Sequence, residues 1–356
     1  SSTFDVNIAP QSSQEYEIDS LELEKDNHNS VVFEYLAGDF LIASEQIILS
    51  EGKLSADINS DGKTTVKPSE NKLYITFDNG SMIFDKSTGF ITSYIYKNHE
   101  MINSFPLGDF KGFAPAFYRA PLDNDRNICK YWHTMGLQNT SNICKGSSFT
   151  DNGDNIVVTT NIKSIANCIL PVANTQIKYT IYPNGNILVD VNCLGGGAVK
   201  LLPRFGVMLE MPKEYENIKY FGLGEDVNLP DYKEHTINKV YQITVDKLKE
   251  DYIKPQESAT RCDVRFAEIT NASGFGLRFE AVSKPFVFSA SHYTSNQWAK
   301  AMHRDDLVDL PTTCVNIDSS VLGAGSNACG PLPDKKDRVG SLSGKKLSFV
   351  VKPIGE

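Results

Sequence analysis

Residues 117–125 read Phe117-Tyr118-Arg119-Ala120-Pro121-Leu122-Asp123-Asn124-Asp125, two aromatics, a guanidinium and two carboxylates around a proline-fixed turn. A guanidinium beside carboxylates forms strong charge-assisted pairs, and Asx side chains close turns by bonding to nearby backbone. For Asp123 and Asp125 the residue types leave two readings open, turn architecture or the rim of a pocket. For Arg119 they leave an internal ion pair or a contact to a ligand hydroxyl. Other carboxylates cluster at Glu225-Asp226, and Arg261 and Arg265 flank Asp263 close to Pro255-Gln256-Glu257. Neighbours in sequence do not by themselves give the geometry of a catalytic acid–base pair.

Several chemistries are absent from the pattern. No Gly-x-Ser-x-Gly elbow sits between a strand and a helix, which discounts a serine hydrolase. Gly195-Gly196-Gly197 follows a strand but precedes no helix, so it reads as a bend and not a phosphate loop. The seven cysteines, 129, 144, 168, 193, 262, 314 and 329, are scattered without a Cys-x-x-Cys pair or histidines at ligand spacing. They read as free thiols in a reducing cytoplasm. His303 is a lone histidine, more often structural than catalytic.

The elements that must position these residues are strands. Short β-branched and aromatic runs alternate with Gly, Asn, Asp and Pro along the chain, the pattern of antiparallel sheet. Residues 73–77 and 82–84 flank an Asn79-Gly80 turn, and residues 176–182 and 187–191 flank Pro183-Asn184-Gly185-Asn186; both read as hairpins. Residues 156–162, 276–282 and 347–351 add strands. A single helix is expected over 127–137, with Asn127 as its cap and Tyr131, Trp132 and Met135 on one face. No strand–helix alternation appears, so neither a (β/α)₈ barrel nor a doubly wound sheet is encoded.

A polar, turn-rich stretch at 60–71 marks a boundary. Before it, residues 15–18, 31–35 and 47–49 read as strands of a small sandwich; about 65 residues is short for such a domain of about 100, so part of it is expected upstream. A start without Met suggests a chain cut from something longer. The net charge of −9, with no basic run, gives no surface for nucleic acid. No run of about 18 apolar residues spans a membrane, and the first residues form no signal peptide.

Together with Phe221-Gly222-Leu223-Gly224, Pro255-Gln256-Glu257, Pro285-Phe286-Val287-Phe288-Ser289-Ala290, Ala299-Lys300-Ala301-Met302-His303 and Cys329-Gly330-Pro331, the 117–125 stretch closely resembles the C-terminal half of the large bacterial β-galactosidases of glycoside hydrolase family 2. Ala9-Pro10 and Ser44-Glu45-Gln46 are similar to landmarks of the family's linker domain. The resemblance implies an all-β chain: a partial immunoglobulin-like β-sandwich over 1–66, then over 72–356 a large antiparallel supersandwich of the galactose mutarotase-like kind. It implies the non-barrel part of a retaining enzyme acting on terminal β-D-galactosides. Such a part completes the active-site wall and supports a catalytic barrel or large subunit, whose glutamates do the chemistry. No catalytic residue or cofactor is expected in this chain, the family's Mg²⁺ being held mainly by the barrel. The expected location is the cytoplasm, and the expected partners include a further copy of the chain in a homo-oligomer.

The substrate-side residues implied are Asp123, Asn124, Asp125 and Arg126, plus Cys314, which in Thr313-Cys314-Val315-Asn316-Ile317-Asp318 matches a position where some members set a tryptophan against the sugar. A thiol offers no such apolar plane. The chain departs from the family elsewhere. A Gly-Leu-Gly-Pro-Gln-Glu-Asn-Tyr-Pro-Asp-Arg segment has become residues 222–232, with Val227, Leu229 and Tyr232 replacing its Glu, Tyr and Arg, and the loop after Asp125 is short. The alternative reading is a stand-alone carbohydrate-binding or aldose-epimerase-like protein, in which His292 or His303 would pair with a carboxylate such as Glu257 as acid and base.

Overall fold

In the computed structural model the described residues are 3–17, 21–54, 58, 61–102, 112–326 and 329–355. The chain divides into two units, Ser1–Lys53 and Leu54–Glu356. Among the described residues every strand pairing is antiparallel and only short helical segments interrupt the strands, so the fold is all-β.

In the first unit the strand His28–Ala37 pairs with Phe40–Glu51 as a two-stranded hairpin. This contains the expected strands at 31–35 and 47–49. The expected strand at 15–18 does not form over 15–17, and Ile18 lies outside the described residues, as does Ser60 of the expected boundary. Within its unit the hairpin leaves Tyr35, Leu36, Phe40, Leu41, Ile42 and Ile48 exposed.

The second unit holds three sheets. The largest runs from edge to edge as Asn238–Thr244, Asn217–Leu223, Phe266–Thr270, Gly276–Ala281, Lys346–Ile354, Ile187–Gly196, Leu170–Ile181, Ile156–Ala166 and Thr140–Asp151. A second has five strands in the order Arg261–Val264, Phe286–Ser291, Thr312–Val321, Arg204–Pro212 and Ala114–Ala116. A third is a meander from Thr65–Pro68 to His99–Glu100. Their apolar faces meet in one core that takes Leu73 and Phe84 from the meander, Val189 and Phe349 from the large sheet, and Val207 and Phe288 from the five-stranded one.

The local reasons for these strands are plain in both hairpins. In Lys72–Phe77 the alternate residues Leu73, Ile75 and Phe77 are buried, and in Ile187–Gly196 the alternate residues Ile187, Val189, Val191 and Cys193 are. Period-two burial of this kind puts one side of each strand into the core. The first turn takes its left-handed residue from Asn79 (φ +60°). Gly80 is needed there for room, since a Cβ on it would lie 2.3 Å from Ile95 O. In the second turn Gly185 itself is left-handed (φ +86°), and its carbonyl accepts the Tyr94 hydroxyl at 2.7 Å. The expected helix forms as Ile128–Met135; Asn127 occupies the cap position with no side-chain capping bond. Trp132 is fully buried and its Nε1 donates to Leu201 O at 2.7 Å. Gly195 and Gly196 end their strand, and Gly197 N donates to Val172 O.

Candidate functional site: a fastened loop rim over a buried polar sheet face

The 117–125 segment is a fastening point. Arg119 is fully buried and its Nη1 lies 2.6 Å from Asp125 Oδ2. The same guanidinium donates to Ala120 O and, across the fold, to Leu322 O at 3.3 Å, with the Trp132 ring 5.6 Å from its carbon. Asp125 also accepts from Leu122 N at 2.8 Å. Both charges thus have hydrogen-bond partners beyond each other, the condition under which a buried pair is tolerated.

Around this point four loops are tied together. Asp123 N donates to Gln256 Oε1 at 2.8 Å, and Asn124 Nδ2 to Gly325 O at 2.5 Å. Asp231 accepts from Ala324 N and Gly325 N at 2.7 and 2.8 Å. Arg261, also fully buried, donates to Thr260 O, Leu248 O and Glu225 O. Asn228 is buried, donates to Leu223 O and Asp226 O, and accepts from Cys262 N. Leu229, where the resemblance set a tyrosine, packs with Cys262, Val287 and Val321, while Tyr232 is exposed. Leu122 and Ala324 pack on the same cluster, so the rim rests on the five-stranded sheet.

The face of that sheet beneath the rim is polar. In Thr312–Val321 the residues Val315 and Ile317 enter the core, so the alternate residues Cys314, Asn316 and Asp318 share the opposite face. Their cross-strand partners there are Glu210, Met208 and Gly206 on one side and Ser291, Ser289 and Val287 on the other. Asp318 and Glu210 are as buried as the core, at 0% and 2% exposure. Asp318 Oδ2 lies 3.2 Å from Arg204 Nη2, and Arg204 is 3.5 Å from Ser289 Oγ. Burial pushes the Asp318 carboxyl up to about 7. The attraction of Arg204 works against this shift, whereas the nearby Glu257 carboxylate reinforces it. Glu257 is itself buried and accepts from Thr260 Oγ1.

The structure distributes the five expected substrate-side residues unequally. Asp123 and Arg126 are exposed at the rim; Asn124 is half-buried and tied to Gly325; Asp125 is enclosed in its ion pair. Cys314 is not at an open edge as expected. It is 2% exposed and packs with Ala116 and Met208, since its strand is central in the sheet and flanked on both sides. Burial raises its thiol above the usual range. The histidines invoked for acid–base work are held elsewhere: His292 Nδ1 is 3.3 Å from Thr312 O, and His303 is exposed with Nδ1 3.8 Å from Asp306. Arg204, Asn316, Asp318 and Glu210 were missed, although the alternation along 312–318 and 204–210 was available in the sequence.

Chemically, the arrangement offers hydrogen-bonding groups for neutral hydroxyls. No cluster of three or more His, Cys, Asp or Glu able to hold a metal ion occurs among the described residues. No helix among the described residues is long and apolar enough to cross a membrane.

The chain is 28% identical over 302 residues to the β-galactosidase of Actinobacillus pleuropneumoniae, covering 84% of this chain and 29% of that protein. It is 25% identical over 295 residues to the β-galactosidase of Staphylococcus xylosus, covering 82% of this chain and again 29% of the relative. The chain therefore spans less than a third of the length of these curated relatives. Among solved structures, galactose 1-epimerase from Lactobacillus acidophilus overlays with a TM-score of 0.45 at 6% identity, covering 93% of this chain and 100% of that one. Residues 76–351 match the family described as beta galactosidase small chain, and since they make up most of the sequence, the chain belongs to that family.

Proposed function

We propose that this chain is the C-terminal, non-barrel part of a retaining β-galactosidase of glycoside hydrolase family 2, hydrolysing terminal β-D-galactosides. The observation that carries the reading is the family match over 76–351, joined to the 29% share of the relatives that the chain spans. In this reading the two reacting carboxyls and the Mg²⁺ belong to a catalytic barrel or large subunit in the cytoplasm. This chain supplies one wall. Asp123 and Arg126, exposed on a rim fastened through Asn124 and Asp125, meet sugar hydroxyls, and the face that includes Cys314 backs them. The hairpin of the first unit joins further strands to complete an immunoglobulin-like sandwich, with domains at 1–66 and 72–356.

The purified chain is expected to hydrolyse no aryl-β-galactoside, because loss of catalytic carboxyls costs orders of magnitude in rate. Co-expression with the barrel-bearing part of its own protein is expected to restore turnover. Hydrolysis by the chain alone, abolished by a substitution within it, would overturn the reading. Mutarotation of galactose by the chain alone would favour the epimerase-like alternative.

A further inference from the structure

The sequence holds three Asn-Gly pairs, at 79–80, 152–153 and 184–185, each in a hairpin turn. In such a pair the glycine nitrogen, with no side chain beside it, can approach the asparagine amide carbon closely. The three turns are held differently. Gly80 belongs to a strand, paired with Phe77 and Tyr96, and Asn79 O accepts from Lys97 N at 2.7 Å. Gly185 is buried; its nitrogen donates to Tyr182 O at 2.9 Å, and Asn184 Oδ1 accepts from Asn186 N at 3.0 Å. The third turn joins Thr140–Asp151, an edge strand of the large sheet, to Ile156–Ala166. Its backbone bond, Asn152 N to Asn155 O at 3.0 Å, leaves Gly153 outside it. Asn152 and Gly153 are both exposed, and a Cβ on Gly153 would meet nothing within 4 Å. The Gly153 N–H donates to the exposed Asp151 carboxylate at 2.9 Å, and Asn152 Nδ2 to Asn155 Oδ1 at 2.8 Å.

We propose that Asn152 is a spontaneous modification site of the folded chain, where the side-chain amide is converted to aspartate and isoaspartate. The Gly153 nitrogen gives its proton to hydroxide and bonds to Asn152 Cγ. The Cγ–Nδ2 bond breaks, and Nδ2 takes a proton from water and leaves as ammonia. Water then opens the resulting five-membered imide at either carbonyl, returning an aspartate or, through the side-chain carbon, an isoaspartate. No oxidant or reductant enters. Ring closure requires the Asn152 backbone and side chain to rotate together while the Gly153 nitrogen leaves its acceptor. At 79–80 and 184–185 this motion opens a packed hairpin, which the fold resists. At 152–153 it breaks hydrogen bonds that lie in solvent, where water replaces each at little cost. The product sets a third carboxylate between Asp151 and Asp154, and the isoaspartate form adds one backbone carbon to a loop at the sheet edge. The proposal does not rest on the galactosidase reading, because the reaction needs only this chain and water.

The test is to incubate the 356-residue chain at mildly alkaline pH, folded and in guanidinium chloride, and to digest samples at mildly acidic pH. Mass spectrometry follows the exchange of ammonia for water in each Asn-Gly peptide, and electron-transfer fragmentation separates isoaspartate from aspartate. In denaturant the three sites should react at similar rates. In the folded chain Asn152 should stay within about threefold of its unfolded rate, while Asn79 and Asn184 slow by roughly tenfold or more. Asn155 shares a tryptic peptide with Asn152, so Asn152→Gln, a change in an exposed turn, assigns the signal: the mass change in that peptide should vanish. Equal rates at the three sites in the folded chain, slowing of Asn152 as large as that of the other two, or a signal that survives Asn152→Gln overturns the proposal.

Discussion

Two buried arginine–aspartate pairs sit in this fold with different surroundings. Asp125 accepts from both Arg119 and a backbone amide, whereas neither carboxylate oxygen of Asp318 has a hydrogen bond of good geometry beside its contact to Arg204. The second carboxyl is therefore the strained one, and its raised pKa fixes a sign. In the unfolded chain the group titrates near 3.8, in the folded one at about 7, so between these values the folded state holds more protons. Stability from this group is full below the lower value and is lost as pH rises through the upper one. Asp318→Asn does not titrate, and it should gain on wild type as pH goes from 4 to 7, by at most roughly 1.4 kcal/mol per unit. Urea midpoints at several pH values measure this; a parallel pair of curves would mean that Asp318 is ionised throughout. Cys314 gives a second prediction. Packed against Ala116 and Met208 at 2% exposure, it has no room for an indole, so Cys314→Trp should cost about 1–3 kcal/mol or more by overpacking. An unchanged denaturation midpoint would return the position to an accommodating rim.

At the scale of elements, the hairpins are the part of this fold that the sequence makes legible, because their information is local. The 183–186 turn depends on Gly185, whose φ of +86° is costly for any other residue and whose missing Cβ would meet Phe77 Cε2 at 2.7 Å. Gly185→Ala is expected to destabilise by about 1–2 kcal/mol in thermal unfolding, and a smaller effect would mean that the turn relaxes to another type. The buried polar face was not legible for the opposite reason. Cys314, Asn316 and Asp318 alternate with Val315 and Ile317 as in any solvent-facing strand, and what covers them comes from far along the chain, Ala116 and Met208 at Cys314 and Arg204 at Asp318. The rim is intermediate. Residues 117–125 announce a polar site by their own composition, but Asp123 finds Gln256 across 133 positions and Asn124 finds Gly325 across 201. Nothing in local spacing encodes such partners. The same distance explains Cys314: a motif match identifies its position, while its burial is set by strands on either side.

At the scale of the whole molecule, the two units should differ in how firmly they hold their backbone hydrogen bonds. The strands Ile187–Gly196 and Lys346–Ile354 lie inside a nine-stranded sheet, paired on both sides, and bury Val189, Phe349 and Val351 in the core. Opening them requires unfolding the unit, so their amides should exchange with solvent at the rate of global unfolding. The hairpin of the first unit has only two strands, and its large apolar side chains stand exposed within that unit. A two-stranded hairpin is at best marginally stable in water. Its amides should therefore exchange orders of magnitude faster in the isolated chain than those of the central strands. If the hairpin is completed into a sandwich by the rest of its protein, protection over 28–51 should rise in the reassembled protein while that of the central strands changes little. Hydrogen–deuterium exchange read by mass spectrometry resolves both regions. Equal protection of the hairpin and the central strands in the isolated chain would show that the first unit needs no further strands, and the partial-sandwich reading would fall.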